Sequence, residues 1–267
     1  MIAPPDGTVE RWAWDYVVTS DVAYKLAPPP PPRAWEASPP VRRLATPGRD
    51  SKLVLARRSE KTPGPEALRD PRRRAQVFHT FLHHELSAAE LFAWAILAFP
   101  DAPRPFRGGM AKILMDEARH CRAYASHLTT LGAAYGDFPV RDWFWLRVPA
   151  CETPLAFVSL VGMGLEGGNL DHAARFAARF RAVGDEEGAR IQEVVAEEEI
   201  PHVRFALRWF SRFSGALDFR TWLSALPPPI TPILLRGEPM ARDARRRAGF
   251  PDGFLDEIAA WRALPSS

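Results

Sequence analysis

A chain of 267 residues with 46% hydrophobic content can bury a substantial core, which excludes a solvated, disordered polymer. Its 35 basic side chains against 32 acidic ones leave a net charge of +3. Lysine occurs four times, so the pI near 9.1 comes from arginine spread over a solvated surface, and nucleic acid is only a weakly supported partner.

No apolar run reaches the roughly 18 residues of a membrane span, because His, Glu or Arg interrupts each one. The start, Met1-Ile2-Ala3-Pro4-Pro5-Asp6, lacks the basic region and apolar core of a secretory signal. Cys121 and Cys151 make no disulfide framework, and reduced thiols in a cytoplasmic protein are expected.

Residues 1–72 read as a Pro/Arg-rich arm. Prolines cluster at 28–32, 39–40 and 63–65, and Arg42-Arg43, Arg57-Arg58 and Arg72-Arg73-Arg74 recur through it. Sustained helix is not expected there. Trp12, Trp14, Tyr16, Val17 and Val18 are too apolar for a free tail, so the arm should lie on the helical body, with its five-proline run as a stiff spacer.

Four helices follow as a bundle over 73–214. The first spans 73–99, with Phe78, Phe81, Leu82, Ala88, Ala89 and Phe92 on one stripe and Glu85 within it. The second spans 106–131 and places Met110, Ile113, Leu114, Glu117, His120, Tyr124 and Leu128 inward. A connection over 132–152 carries Tyr135, Trp143, Phe144 and Trp145, the length a bundle with one long crossover needs. The third, 153–182, puts Leu155, Val158, Ser159, Gly162 and Glu166 on one face, and its glycines weaken the helix or admit a π-bulge, a close neighbour or a substrate. The fourth, 185–213, turns Ile191, Val195, Glu199, His202, Phe205 and Trp209 inward. The C-terminal extension, 215–267, holds short helices near 219–226, 241–248 and 254–263, and Arg245-Arg246-Arg247 reads as a solvated face.

One pattern occurs twice. Glu85 precedes Glu117-Ala118-Arg119-His120, and Glu166 precedes Glu199-Ile200-Pro201-His202. Residues three apart on a helix point about 60° from one another, so each Glu-x-x-His offers a carboxylate and an imidazole to one ion. At about 1.5 Å per residue, the two glutamates of each pair come to similar heights across their turns. Burying four carboxylates without counter-charge would cost several kcal/mol each, roughly the scale at which two divalent cations become necessary. One glutamate from each of two helices and a Glu-x-x-His from each of the others is the ligand set of ferritin-like dinuclear carboxylate bundles. Mixed oxygen and nitrogen donors suit two Fe ions, with Mn or a mixed Fe/Mn pair as alternatives. Pro201 is the weak joint, since it either starts a new helix or sits in a kinked one.

The runs His83-His84-Glu85-Leu86, Asp116-Glu117-Ala118-Arg119-His120, Leu131-Gly132-Ala133-Ala134-Tyr135-Gly136-Asp137, Leu165-Glu166-Gly167-Gly168-Asn169-Leu170-Asp171 and Glu198-Glu199-Ile200-Pro201-His202-Val203 together resemble the bacterial ferritin-like family catalogued as domain of unknown function 455. The likeness extends over 78–249 and includes Ala241-Arg242-Asp243-Ala244-Arg245 and Ala248-Gly249-Phe250. It implies an all-α, ferritin-like four-helix bundle with a dinuclear metal site. The wider superfamily includes a hydroxylase of modified tRNA bases with a similar metal motif. Pro201 and the Gly167-Gly168 pair depart from the family pattern.

The expected function is a non-haem di-iron oxidoreductase that activates dioxygen to hydroxylate or oxidise a small organic substrate or modified nucleoside. No dinucleotide-binding glycine fingerprint is present, so electrons would come from a donor protein or the substrate. Tyr124, one turn beyond His120, is a candidate redox or hydrogen-bonding side chain and equally ordinary core. His83 and His84 could orient ligands, and Phe81, Phe92, Met163 and Leu170 could line a pocket. Iron binding or oxidation without an organic substrate, a manganese catalase and an RNA-contacting module with structural metals are the alternatives. A homodimer is compatible with the bundle.

Overall fold

The computed structural model describes residues 1–57 and 63–262. Arg58 of the predicted basic pair, and Ala263 at the end of the last predicted helix, lie outside the described residues. The architecture is all-helical, with isolated bridges in place of strands among the described residues. The chain divides into two compact units, Met1–Pro149 and Ala150–Ser267, each built around one helical hairpin.

The first unit begins with α1 (Val9–Val18) and α2 (Val22–Leu26), where the sequence reading expects no sustained helix. A proline disrupts a helix only locally, and the segment between Pro5 and Pro28 contains none. Thr8 caps α1 by accepting from the Arg11 N–H, and Val9, Trp12, Ala13, Tyr16 and Val17 are buried in a helical spacing. This face packs on α3 (Pro71–Ala98). The proline run is tied down as well, because the Trp12 indole donates to the Pro29 carbonyl at 2.8 Å and the Val9 N–H to that of Ala34. Further along, Arg42 N–H donates to the Leu97 carbonyl, and the Trp94 indole to that of Leu44. The arm is therefore bound to the first hairpin.

Helix α3 starts with Asp70 accepting from Arg72 N–H and with Pro71 in its first turn, both favourable at a helix start. It pairs with α4 (Arg104–Thr130). Phe78, Phe92, Trp94 and Phe106 are fully buried in this unit, each worth about 1.5–3 kcal/mol of apolar burial.

Charges buried between arm and hairpin were not foreseen from the sequence. Glu90 accepts from Lys25 Nζ at 2.6 Å, from the Trp145 indole at 2.8 Å and from Arg49. Burial pushes the Glu90 carboxyl up, but Arg49 and Lys25 outweigh it and hold its pKa below the ordinary value. Glu10 of α1 pairs with Arg107 of α4 at 2.6 Å, both buried.

The connection after α4 folds back on α3. Gly136 N–H donates to His79 Nε2 at 2.8 Å, and Tyr135 stacks on the same imidazole. Burial, with a smaller contribution from His83, lowers the His79 pKa from 6.5 to about 4, against the opposing pull of Asp137. A proton on Nε2 would also displace the Gly136 hydrogen bond. The unfolded chain takes up this proton near pH 6.5 and the folded chain only near pH 4, so stability is full above pH 6.5 and falls as pH drops through that window. The loss is about 3 kcal/mol by the usual 1.4 kcal/mol per unit. Denaturant unfolding from pH 7 to 4 should show the His79→Gln variant, which keeps an acceptor, losing less stability than the wild type by about that amount. Parallel pH profiles would contradict this assignment.

The second unit opens with α5 (Pro154–Phe157), a π-helical segment (Val158–Leu165) and α6 (Glu166–Ala182), so the predicted third helix carries the π-irregularity that its glycines allow. In the widened turn, Glu166 N–H donates to the Val161 carbonyl, five residues back. Gly162 packs so closely on Ala206 of α7 (Glu186–Ser214) that a β-carbon on it would collide with the alanine side chain. A π-turn is a frequent device where a helix must bring an extra residue to a functional face.

Pro201 lies within α7 without ending it and is exposed. The bond it cannot make is on the solvated side, where water substitutes. The short helices α8 (Phe219–Ala225), α9 (Arg242–Ala248) and α10 (Asp252–Ala260) complete the unit. The reading of Arg245-Arg246-Arg247 as a solvated face fails at its first residue. Arg245 is fully buried, forking onto Asp171 of α6 at 3.1 and 2.7 Å. Arg246 pairs with Asp243 and Asp252, and Arg247 with Glu197, at the surface. Gly167 gives the Arg245 guanidinium room, since a β-carbon there would stand 3.2 Å from Nη1. Gly168 does the same for the Leu235 carbonyl, at 3.3 Å. The glycine pair after Glu166 thus admits the C-terminal segment against α6.

Candidate metal centre

In the first unit, α3 turns Glu85 toward α4, which presents Glu117 and His120 one turn apart. All three are buried, and each offers one ligand atom within 4.8 Å of the others. His120 Nδ1 lies 3.2 Å from Glu117 Oε2 and 3.6 Å from Glu85 Oε2. Two buried carboxylates and an imidazole converging this closely are a donor set for a divalent cation. Hard oxygen and borderline nitrogen together fit iron, manganese or zinc, and the arrangement alone does not select the metal.

In the second unit, α7 carries the matching pair, with His202 Nδ1 2.9 Å from Glu199 Oε2 and both residues buried. Glu166, buried as well, begins α6 directly after the π-turn. Asn169 of α6 donates its side-chain amide to Glu199 Oε1 at 3.4 Å. Each predicted ligand is therefore buried, and each Glu-x-x-His closes on itself as helical spacing requires.

The neighbours of the Glu85–Glu117–His120 cluster are polar and hydrogen-bonded. His83 Nδ1 is 2.8 Å from the Tyr135 hydroxyl, and its Nε2 is 3.1 Å from Asp142 Oδ1. Burial pushes the Asp142 carboxyl up, but His83 and Arg49 more than offset it, holding its pKa down to about 2. Burial pushes the Tyr135 phenol well up, so it remains a hydrogen-bond donor. His83 thus pairs with Tyr135 and Asp142, whereas His84 stacks on Phe144 at 5.0 Å.

Tyr124 is buried between Phe78 and Phe81, with ring centroids 6.0 and 5.8 Å away, an aromatic core position. Phe92, Met163 and Leu170 are buried core in their own units, and Phe81 is half-buried. Cys121 and Cys151 are separate buried thiols. A cavity of about 590 Å³ opens beside Asp70, Arg72, Gly132, Asp137 and Phe138, at the start of α3. Glu85 is 14 positions further along that helix, roughly 21 Å at 1.5 Å per residue, so this cavity does not serve the ligands.

Among the described residues, no helix is long and apolar enough to cross a membrane. The chain is similar to an uncharacterized protein of Haemophilus influenzae, with 26% identity over 194 residues, covering 69% of this chain and 67% of the relative. No solved structure matches it significantly. The family model described as "Protein of unknown function (DUF455)" matches residues 11–256, a span that holds both hairpins and every predicted ligand, and the chain belongs to that family.

Proposed function

We propose that the protein is a dinuclear non-haem iron oxidoreductase that uses dioxygen to hydroxylate or oxidise a small organic substrate or modified nucleoside. The observation that carries this reading is the buried convergence of Glu85, Glu117 and His120, repeated in kind by the Glu199–His202 pair beside α6. In this reading Glu85, Glu117 and His120 of the first hairpin and Glu166, Glu199 and His202 of the second are two half-sites that would hold two ions, the donor set of a ferritin-like carboxylate protein. A ferrous pair would supply the electrons for dioxygen reduction, with manganese or a mixed pair as the alternative occupant.

The residues supply binding, orientation and exclusion of water. Full burial of Glu117 and Glu199 keeps bulk solvent from these carboxylates, where electrostatic interactions gain strength. The Tyr135–His83–Asp142 chain orders the helix turn that carries Glu85, as polar partners behind metal ligands generally do. The substrate oxidation then needs only a carbon-bound hydrogen held nearby. A donor protein or the substrate returns the electrons.

The test is anaerobic loading with ferrous ion followed by oxygen exposure. An oxygen-dependent transient absorption band, with oxygen consumed in proportion to loaded iron, is the expected result. Dismutation of hydrogen peroxide by the manganese-loaded protein alone would favour a catalase, and oxidised iron released without substrate dependence would favour iron handling. Neither would support an oxygenase.

A further inference from the structure

We propose that Asn169 is a positioning residue for Glu199 and that it makes the two half-sites unequal. The inference rests on the dinuclear reading above. Asn169 follows Glu166 by three positions, so α6 presents a Glu-x-x-Asn on the turn that faces α7. Its Nδ2 donates to Glu199 Oε1 at 3.4 Å, while Glu199 Oε2 lies 2.9 Å from His202 Nδ1. Both oxygens of a carboxylate with no solvent exposure are thus engaged, one from each helix of the hairpin. In the first hairpin the corresponding position, three after Glu85, is Ala88, whose methyl group cannot donate. The Glu-x-x-Asn of α6 is therefore a Glu-x-x-Ala in α3.

A neutral amide suits this position. A hydrogen bond to Oε1 limits rotation of the carboxylate and leaves Oε2 the stronger donor to an ion, without adding a competing charge or ligand. Removing such an outer partner typically weakens metal affinity about tenfold to a hundredfold. The effect should fall on the ion held by the second half-site, because Glu85, Glu117 and His120 are untouched.

The experiment is anaerobic titration of the metal-free full chain with cobalt(II) alone, read by bound ions per chain and by the visible ligand-field bands. Wild type should bind two ions of unequal affinity. In Asn169→Leu, one ion should bind about ten times more weakly or worse, with its band shifted, while the other ion and the helical circular dichroism are unchanged. If that variant does not fold, Asn169→Ala is read in the same titration. A variant with unchanged affinities and spectrum, beside a two-ion wild type, would overturn the role of Asn169 and leave the dinuclear reading intact. A wild type that binds no cobalt would overturn both.

Discussion

Arg245→Met is expected to destabilise the second unit by about 3–5 kcal/mol, the usual cost of stranding one partner of a buried ion pair. Both side chains of the pair are fully buried. Asp171 accepts from Arg245 Nε and Nη2 and from the amides of Gly237 and Ala241, each at 2.8 Å. Methionine would fill the space but leave a carboxylate with two of its four donors gone. Arg245→Lys should recover only part of the loss, because a single ammonium cannot span both oxygens. Urea unfolding followed by circular dichroism measures this directly. A change within about 0.5 kcal/mol, the range of an ordinary surface substitution, would show that the pair contributes little.

Glu117→Ala and Glu199→Ala should each abolish two-metal binding while leaving a helical protein. Without metal, loss of Glu117 removes one of the like charges crowded beside His120 within 4.8 Å, so the metal-free variant should be as stable as the metal-free wild type or more so. The difference appears on loading. A ligand at one hundred times its dissociation constant stabilises the folded state by about 2.7 kcal/mol, and only the wild type should show the corresponding rise in unfolding midpoint. Full occupancy in either variant would remove that glutamate from the ligand set.

The hairpins were legible because a 3.6-residue apolar period runs between clear stops. Helix α3 ends before Pro100, and α4 before Gly132. The burial of the candidate ligands was legible because a charge on an apolar stripe needs a reason, and the same pattern appears twice at matching spacing. Pairings distant in sequence were not. Nothing in the period of α3 says that Glu90 will meet Lys25 and Arg49, 65 and 41 residues away. The available signal was weaker: Glu90 interrupts the run Ala88-Ala89-Glu90-Leu91-Phe92, and a charge so placed must find a partner. Asp171, directly after Leu170, gave the same hint, and Arg245 answers it.

Two local readings turned on competing effects. The prolines of the arm masked α1, whose apolar face lies wholly between them. Gly162, Gly164, Gly167 and Gly168 gave a sound warning of irregular helix, and the warning became a π-turn ending at Glu166. Pro201 looked like a break in the last motif, but its exposure leaves the missing hydrogen bond on the solvated side of α7. In the Tyr135–His83 contact, a connection residue completes the surroundings of a helix residue, which no single-helix pattern could indicate.

The most direct measurement is the metal content per chain after expression in iron-replete and in manganese-replete medium. Two ions per chain, iron or manganese according to supply, is the expected result. No metal, or a single tightly held zinc, would mean that the doubled Glu and Glu-x-x-His pattern is architecture without a dinuclear centre.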